Sequence, residues 1–344
     1  MSTKHQRCPE CKSLATQRWG RRKVGSRKIQ RFRCLVCGQT FTKKVFRRIR
    51  IAPTEQVRLT REHLEKRASI RTLARLEGYS KQTVQNAIHT VTAQCASAAW
   101  IAQTFAPVWG GYLALDGTTI RVWDWAAKYF RYSKTQRRWL HKMSLLMALD
   151  IATLDIPVHH LGDEETMIDL KLMLDTLKTL HYPLKGIVTD GNEDIARAVA
   201  LVFGPGIPHQ LCQLHWLRSL RQKVREGTVS EHQRNEAWAT IPKGRRPSFP
   251  VPDQLFTYLQ HPGLPKNNQA LEVCHRFLKL RLKSIGTFHS WQTAAHYLDA
   301  LVAHRRFLKF SDRKNGQPNG QAPLELAGCT ITGWDYLTRK KTNH

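Results

Sequence analysis

The pattern of apolar and polar positions divides the chain into four regions. Residues 1–45 carry paired cysteines and many basic residues, and residues 53–100 have apolar positions at helical spacing. Residues 106–310 combine short apolar runs, typical of buried strands, with longer segments of helical periodicity. After Phe310 the sequence SDRKNGQPNGQ predicts a linker that leads to a short tail. A chain of 344 residues is long enough for two or three domains.

The third region predicts an α/β sheet. The runs YLALDGTTIRVW and KMSLLMALDIATLDIPVHHL predict three strands, the second and third joined by a turn. A helix, a short buried strand (LKGIVTDG), a second helix and a last strand (PHQLCQLH) follow. This order indicates a meander that continues into βαβ connections. A helical, basic stretch over 216–262 and a long helix over 268–285 come next.

The charge balance indicates a polyanionic partner. The chain has 55 Lys and Arg against 26 Asp and Glu, a net charge of +29. Residues 1–50 hold 16 of the basic residues and only one acid, Glu10. Neutralising phosphates releases condensed counterions, so such an excess favours nucleic acid, although ribosomal and membrane-surface proteins are also basic.

The N-terminal segment MSTKHQRCPECK has no apolar stretch, so we expect no signal peptide. The sequence has no run of about 18 apolar residues, which argues against a membrane span. Four of the eight cysteines fall in two close pairs, which suits a metal site in a reducing compartment. We therefore expect a cytoplasmic, nucleoid-associated protein with no membrane partner.

Two Cys-x-x-Cys pairs, Cys8 with Cys11 and Cys34 with Cys37, predict a zinc ribbon. Zn²⁺ takes four tetrahedral ligands, and because four cysteines leave no open position the expected role of the metal is structural. A redox pair or two unrelated thiol pairs are the alternatives. We expect the basic segment between the pairs to contact DNA rather than to form a merely solvated surface. Its basic residues are Arg18, Arg21, Arg22, Lys23, Arg27, Lys28, Arg31 and Arg33.

The segment SIRTLARLEGYSKQTVQNAIHTV predicts a helix-turn-helix. A small residue, Ala74, is followed by Gly78 for a positive-φ turn and by Val84, which packs back inside. Ser80 is the predicted N-cap of the second helix. The remaining apolar positions are Leu73, Leu76, Tyr79 and Ile88. The expected DNA-reading residues are Lys81, Gln82, Gln85 and Asn86, since Gln and Asn can bond bidentately to adenine. An ordinary helical hairpin is the alternative.

Two carboxylates, Asp116 and Asp190, are each predicted to end a strand and to precede a glycine. If the two strands are adjacent and parallel, both side chains lie at one carboxyl edge of the sheet, where open α/β sheets place their sites. Carboxylates at that edge can hold Mg²⁺, and paired metals promote phosphoryl transfer. The acids that compete with them are typical of turns or helix starts: Asp124, Asp150, Asp155, Asp163, Glu164 and Glu165.

A third carboxylate, Glu272, lies in the predicted helix of KNNQALEVCHRFLKLRLKSIG, which Asn267 or Asn268 caps. Basic residues near its face are expected to follow a phosphate backbone: Arg276, Lys279 and Lys283. On residue pattern alone, a surface ion pair is the commoner role for a Glu on a basic helix.

The segments LALDGTTI, IVTDGNEDI, LCQLH and NNQALEVCHRFLKLRLKSIGTFHS resemble the Mutator-like class of insertion-sequence transposases, in the variant with an N-terminal zinc-binding module. The resemblance covers most of residues 1–330, and PLELAG in the tail is also similar. It implies a ribonuclease-H-like core in which Asp116, Asp190 and Glu272 form a DDE set that binds divalent metal. It also implies an accessory motif, matched by Cys212 and His215, whose role stays open between DNA orientation, structural support and plain packing.

With that resemblance, the expected fold is a multidomain α/β protein with a ribonuclease-H-like mixed sheet core and an α-helical insertion. The expected domains are a zinc ribbon (1–45), a helix-turn-helix domain (46–105), a catalytic core (106–310, with the insertion at 216–262) and a linker and tail (311–344). The expected cofactors are Mg²⁺ or Mn²⁺ at the carboxylates and structural Zn²⁺.

The expected activity is cleavage of double-stranded DNA at transposon ends and transfer of the 3′-hydroxyl strands to a target. We expect a homodimer or higher assembly on DNA, because two ends must be cut together. A DNA-binding regulator with an inactive core and a nuclease of similar fold, which cleaves without joining, remain as alternatives.

Overall fold

A computed structural model describes residues 6–24, 27–42, 51–123, 140–162, 166–285, 288, 290–311 and 319–341. The chain divides into two compact units, Met1–Ile51 and Ala52–His344. Residues 43–50 and 312–318, which hold the start of the expected helix-turn-helix domain and most of the expected linker, lie outside the described residues. The domain limits expected at residues 105 and 310 fall inside the second unit and stay predictions.

The first unit is a small antiparallel sheet. Its strands are β1 (Thr16–Val24), β2 (Arg27–Cys34) and β3 (Thr40–Thr42), in the order β1-β2-β3. Phe32 and Phe41 are paired across β2 and β3, and their rings stack with centroids 5.8 Å apart. The register of β1 against β2 shifts at Gly20, whose φ of +67° only glycine adopts without strain. This sheet has a minimal apolar core, so a further stabilising element is required.

The second unit begins with four helices: α1 (Pro53–Leu64), α2 (Ile70–Leu76), α3 (Lys81–Thr92) and α4 (Ala98–Phe105). The hydroxyl of Ser80 accepts a hydrogen bond from the backbone N–H of Thr83, which confirms the predicted N-cap of α3. Gly78 has a φ of +70° in the turn between α2 and α3, and Val84 is fully buried. The prediction that Leu76 fills a core position was wrong, because it ends α2 on the outer side and is 70% exposed.

A five-stranded mixed sheet forms the centre of the second unit. Its strands are β4 (Tyr112–Trp123), β5 (Leu140–Asp150), β6 (Val158–Gly162), β7 (Gly186–Thr189) and β8 (His209–Leu211), in the order β6-β5-β4-β7-β8. The first three strands form an antiparallel meander, and β4, β7 and β8 run parallel. The helices α5 (Met167–Thr179) and α6 (Glu193–Phe203) connect β6 to β7 and β7 to β8. The structure therefore has the predicted succession of strands and helices.

The helices α5 and α6 cover one face of the sheet. Leu113 and Leu115 of β4 pack in this layer, against residues such as Leu174 and Val199. Because successive side chains of a strand point to opposite faces, Ala114 and Asp116 point to the other face. On that face the helix Gln269–Ile285 contacts β4, and Asn268, directly before this helix, contacts Asp116.

The rest of the second unit is mainly helical. It contains α7 (Gln213–Arg225), α8 (Glu231–Thr240), 3-10 helices at Ile241–Lys243 and Asp253–Leu259, α9 (Gln269–Ile285), α10 (Trp291–Phe307), α11 (Pro323–Leu326), and the short strands β9 (Trp334–Asp335) and β10 (Lys340–Lys341). The insertion expected over 216–262 thus contains most of α7, all of α8 and the two 3-10 helices. None of the helices in the described residues combines the length and apolar character needed to cross a bilayer.

Two of the competing acids are buried structural groups. Asp150 accepts hydrogen bonds from the backbone of Gly110, Gly111 and Thr153 and from the hydroxyl of Tyr182. Asp155 is fully buried and forms a bidentate pair with Arg306, with both N–O distances at 2.7 Å. Buried carboxylates need such partners, so both acids are occupied in holding the β5–β6 connection. Asp124, Asp163, Glu164 and Glu165 lie outside the described residues.

Candidate functional site

The four paired cysteines of the first unit come together. Cys8 Sγ lies 3.6 Å from Cys37 Sγ, and Cys11 Sγ lies 3.5 Å from Cys34 Sγ. All four sulfurs lie within 4.8 Å of one another. Tetrahedral zinc with Zn–S bonds of about 2.3 Å places its sulfurs about 3.8 Å apart, so the cluster can hold a structural zinc ion.

Backbone groups of the second cysteine pair favour a thiolate. The backbone N–H groups of Cys37 and Val36 donate to Cys34 Sγ and lower the pKa of that thiol to about 6, although burial opposes the change. Zinc binds thiolates rather than thiols. The hydrogen bonds of this turn therefore favour a thiolate at Cys34, whereas burial and the neighbouring sulfurs raise the pKa of Cys37 to about 12.

We expect one zinc ion per chain and a loss of that ion when Cys34 is replaced by Ser, because three thiolates leave the tetrahedral set incomplete. Zinc content of the purified protein, measured by mass spectrometry, checks this. The control is Cys95→Ser, which removes a thiol that is buried in the second unit. Equal zinc content in both variants would contradict the zinc site.

The sequence predicts that Asp116 ends its strand, and this prediction was wrong. The strand β4 continues past Gly117 to Trp123, because the long antiparallel partner β5 pairs with it along its whole length. Only the parallel partner β7 stops here, since Ala114 is paired with Val188 and β7 ends one residue later. Asp116 is therefore located beside the carboxyl end of β7, inside a longer strand, with its side chain 14% exposed.

Asp190 directly follows β7 and is exposed. Gly191 has a φ of +104°, so the chain turns away from the sheet at the predicted glycine. Extending the pairing of Ala114 with Val188 by two residues places Asp190 at the level of Asp116. One oxygen of Asp190 accepts a hydrogen bond from the backbone N–H of Asn192, 3.1 Å away.

Glu272 lies in the first turn of α9, where the helix dipole favours a negative charge. Its Oε1 is 3.3 Å from His215 Nε2 and 3.4 Å from Arg218 Nη1. Both partners belong to α7, so the accessory motif residue His215 contacts the candidate carboxylate directly. The carboxylate is 30% exposed and stays accessible from the solvent side.

Asp116 and Glu272 line one cleft of about 570 Å³. His215 and a second histidine, His275, line it as well. The basic residues of α9 complete its wall: Arg276, Lys279 and Lys283. Positions 272, 276, 279 and 283 follow the spacing of one helical face, which explains why a carboxylate and three cations share the cleft.

The three cations of α9 are exposed, and none has an ion-pair partner within the part of the chain that the structure describes. Cations next to carboxylates in a solvent-filled cleft suit a ligand that brings its own negative charge and a metal to neutralise the acids. A phosphodiester is such a ligand.

The roles of two residues of the site were not predicted from the sequence. His275 Nδ1 lies 3.7 Å from Asp116 Oδ2, and burial together with the charge of Lys279 lowers the pKa of His275 to about 4. Burial and Lys279 therefore favour the neutral form of His275. Asn268, expected only as a possible helix cap, is fully buried, and its Nδ2 donates to Asp116 Oδ2 over 3.5 Å. The doublet Asn267-Asn268 before a helix was the available signal, but it indicated a cap and not this contact.

The other accessory residue, Cys212, is buried at the start of α7, and its Sγ donates to Asn268 Oδ1 over 3.1 Å.

The oxygens of the three candidate carboxylates do not lie close enough together to form one complete set of metal ligands. Among the described residues, the only group of three or more potential ligands with all ligand atoms within 4.8 Å is the cysteine cluster. Asp116 and Glu272 share the cleft, whereas Asp190 is at the same sheet edge but not in its lining.

The expected DNA-reading residues of α3 share its outer side. Lys81, Gln82 and Asn86 are exposed, and Gln85 is half-buried. Gln82 Nε2 donates to Asn86 Oδ1 over 2.8 Å, which holds the two amides together on the surface. The opposite side of α3, with Val84, Ala87, Ile88 and Val91, is buried in the second unit.

A comparison of the chain with models of protein families found no match, and a comparison with curated proteins found none.

Proposed function

We propose that the protein is a DDE transposase with a ribonuclease-H-like core, which binds transposon ends, cuts the DNA there and joins the 3′-hydroxyl strands to a target. One observation carries the proposal: Asp116 from the central strand and Glu272 from α9 line one cleft with three exposed cations of α9. The strand order β6-β5-β4-β7-β8 and the resemblance of the segments around Asp116, Asp190 and Glu272 to Mutator-like transposases support it.

The three candidate carboxylates fit a divalent metal of the Mg²⁺ or Mn²⁺ type. Hard cations prefer carboxylate oxygens, and Asp116, Asp190 and Glu272 offer only oxygens. The lowered pKa of His275 disfavours a positive charge beside Asp116 that would compete with a cation. When bound, the metal supplies a Lewis acid for the phosphoryl oxygens and lowers the pKa of a bound water.

The residues of the chain would bind and orient the DNA strand around that metal. Arg276, Lys279 and Lys283 are proposed to hold successive phosphates along α9. Arg218 and His215, next to Glu272, would keep this carboxylate directed into the cleft until the metal binds. Electrostatic stabilisation of the charge on the scissile phosphate makes the largest contribution to the rate of phosphoryl transfer. Positioned cations supply this stabilisation.

Other surfaces of the protein would recognise the ends of the transposon. The basic β1–β2 hairpin of the first unit carries exposed Arg18, Arg21 and Lys23, and no acid lies in either strand. In the second unit, α2 and α3 are proposed as a helix-turn-helix that reads bases through Gln82, Gln85 and Asn86. We propose a homodimer or higher assembly on double-stranded DNA, because two ends must be cut together.

Strand cleavage and joining in Mg²⁺, with DNA that carries the sequences flanking the gene, tests the proposed function. The wild-type protein is expected to cut at the ends of terminal repeats and to join them to a target plasmid, and Asp190→Ala to bind the same DNA without either reaction. Cleavage without joining would favour a nuclease. Binding without cleavage by both proteins would favour a DNA-binding regulator.

Replacing Lys279 and Lys283 by Gln is expected to weaken binding of DNA of any sequence. Each phosphate contact contributes about 0.9 to the slope of log affinity against log salt, so the double variant should lose about two units of slope. Fluorescence anisotropy at a series of salt concentrations measures this.

The control for this pair is Lys171→Gln, which removes one positive charge on α5, at the other face of the sheet. Its slope should equal that of wild type. If the cleft variant and Lys171→Gln change the slope by the same amount per charge, the loss reflects net charge and not contacts in the cleft.

A further inference from the structure

Residues 212–215 contact the end of β7 and the start of α9 directly, and they reach the third carboxylate-bearing strand, β4, through Asn268. The backbone N–H of Cys212 donates to the carbonyl of Thr189 over 2.7 Å, directly before Asp190. The thiol of Cys212 donates to Asn268, and His215 Nε2 lies 3.3 Å from Glu272 Oε1. One short segment at the start of α7 therefore touches the end of β7, the start of α9 and, through Asn268, the middle of β4.

Asn268 forms the other half of this connection. Its backbone carbonyl accepts from the N–H groups of Leu271 and Glu272, so it starts the helix that carries Glu272. Its side chain is fully buried and has two different partners. The carbonyl Oδ1 accepts from the Cys212 thiol, and the amide Nδ2 donates to Asp116 Oδ2.

The chemistry of the two partners fixes the orientation of the amide. Asp116, when ionised, only accepts hydrogen bonds, and a thiol that faces a carbonyl donates. The Asn268 amide satisfies both at once, whereas a rotated amide would direct its oxygen at the carboxylate and its NH₂ at the thiol. A rotated amide would therefore place acceptor against acceptor at Asp116 and donor against donor at the thiol, which favours the observed orientation.

The thiol of Cys212 is 1% exposed and is directed into the protein. A nucleophile has to reach its substrate, so this thiol is not available for attack on DNA. Its contacts run instead to His215 and to the Asn268 amide, which holds Asp116 Oδ2, the oxygen that also faces His275.

We propose that Cys212 and Asn268 are positioning residues, which set the orientation of Asp116 and its spacing from Asp190 and Glu272 for metal binding. This role rests on the proposed function, because it supposes that the three carboxylates hold a divalent metal. Residues that orient metal ligands in this way usually contribute to metal affinity. Plain packing of a buried thiol against an amide is the competing explanation, and it predicts no dependence on the hydrogen bond.

The test is a titration of the zinc-loaded, full-length protein with Mn²⁺, followed by electron paramagnetic resonance, together with thermal melts of every variant. Cys212→Ala and Asn268→Ala are expected to weaken Mn²⁺ binding at least about 10-fold, the lower range for residues that support metal ligands. Cys212→Ser keeps a donor for Asn268 Oδ1 and is expected to bind Mn²⁺ close to the wild-type affinity. The matched control is Cys329→Ala, which removes another buried thiol of the second unit, one whose contacts go to backbone carbonyls.

Each result separates the explanations. Weak binding by Cys212→Ala beside normal binding by Cys212→Ser supports the positioning role, and these two variants decide the question if Asn268→Ala does not fold. Equal affinities for wild type and Cys212→Ala, or equal losses in Cys212→Ser and Cys212→Ala, overturn it. If wild type binds Mn²⁺ but Asp116→Asn does so equally well, the metal site of the proposed function fails, and the positioning role fails with it.

Discussion

Replacement of Asp116 by Asn is expected to reduce metal-dependent DNA cleavage by on the order of 10³-fold or more, while DNA binding stays near wild type. The expected loss exceeds the 10–100-fold typical of residues that only support a metal ligand, because Asp116 is itself the proposed ligand. Cleavage of labelled end DNA in Mg²⁺, measured as single-turnover rates, gives the ratio directly. Anisotropy with the same DNA gives the binding.

The substitution is informative because Asn keeps the size of the side chain. Asp116 is 14% exposed and pairs along β4 and β5 through its backbone, so the strand does not depend on the charge. The amide loses one negative charge and one of two oxygens, which are the properties that a hard cation requires. A loss of cleavage without a loss of folding would therefore report on metal binding.

A matched control is Asp194→Asn, which removes an exposed carboxylate in the first turn of α6, four residues from Asp190. This variant is expected to cleave at the wild-type rate, because the carboxylate of Asp194 pairs with Arg197 of the same helix. If Asp116→Asn and Asp190→Ala both cleave like the control, the chosen carboxylates are not the ligands. If wild type binds but does not cleave, the inactive-core regulator becomes the better explanation.

The carboxyl end of β7 was predictable from local sequence. For Asp116, local sequence predicted a position at the carboxyl edge of the sheet, but not that β4 continues beyond it. GIVTDG contains four buried residues, an acid and a glycine that takes positive φ, all within one short segment. LALDG has the same local pattern, yet β4 continues to Trp123, because the length of a strand is set by the partner with which it pairs. That partner, β5, begins 17 residues after β4 ends, beyond any local pattern.

The cysteine cluster was predictable for a different reason. Each Cys-x-x-Cys pair forms its own turn, so the ligand spacing is a local property, and the structure brings the four sulfurs together as expected. The contact between Asn268 and Asp116 spans 152 residues and depends on which of two neighbouring asparagines is directed into the protein. Both suit a helix start, and indeed Asn267 Oδ1 accepts from the N–H of Gln269 while Asn268 enters the site.

Periodicity alone also did not show that Asp155 is buried, because its sequence context is that of a turn. Its burial becomes evident only when α10, about 150 residues later, brings Arg306 against it. Asp116 and Asp155 both follow apolar runs, but one has cations in an open cleft and the other has a buried guanidinium. The partner, and not the local pattern, separates a candidate ligand from a structural acid.

Replacement of Arg306 by Met is expected to destabilise the second unit by about 3–5 kcal/mol, the cost of leaving a buried charge without its partner. Asp155 is completely buried, and Arg306 supplies two of its three side-chain hydrogen bonds, the third coming from Trp109 Nε1. Methionine fills much of the volume of the arginine stem, so the effect comes mainly from the lost charge pair. Urea unfolding followed by circular dichroism measures the change as a shift in the midpoint.

The double variant Asp155→Asn with Arg306→Met separates the charge from the packing. It removes both charges, and the amide of Asn can still accept from Trp109, so its loss of stability is expected to be clearly smaller than that of Arg306→Met alone. Lys171→Met breaks an exposed pair with Asp175 and should change stability by less than about 1 kcal/mol. If Arg306→Met shifts the midpoint no more than Lys171→Met does, the pair orients the β5–β6 connection without stabilising it.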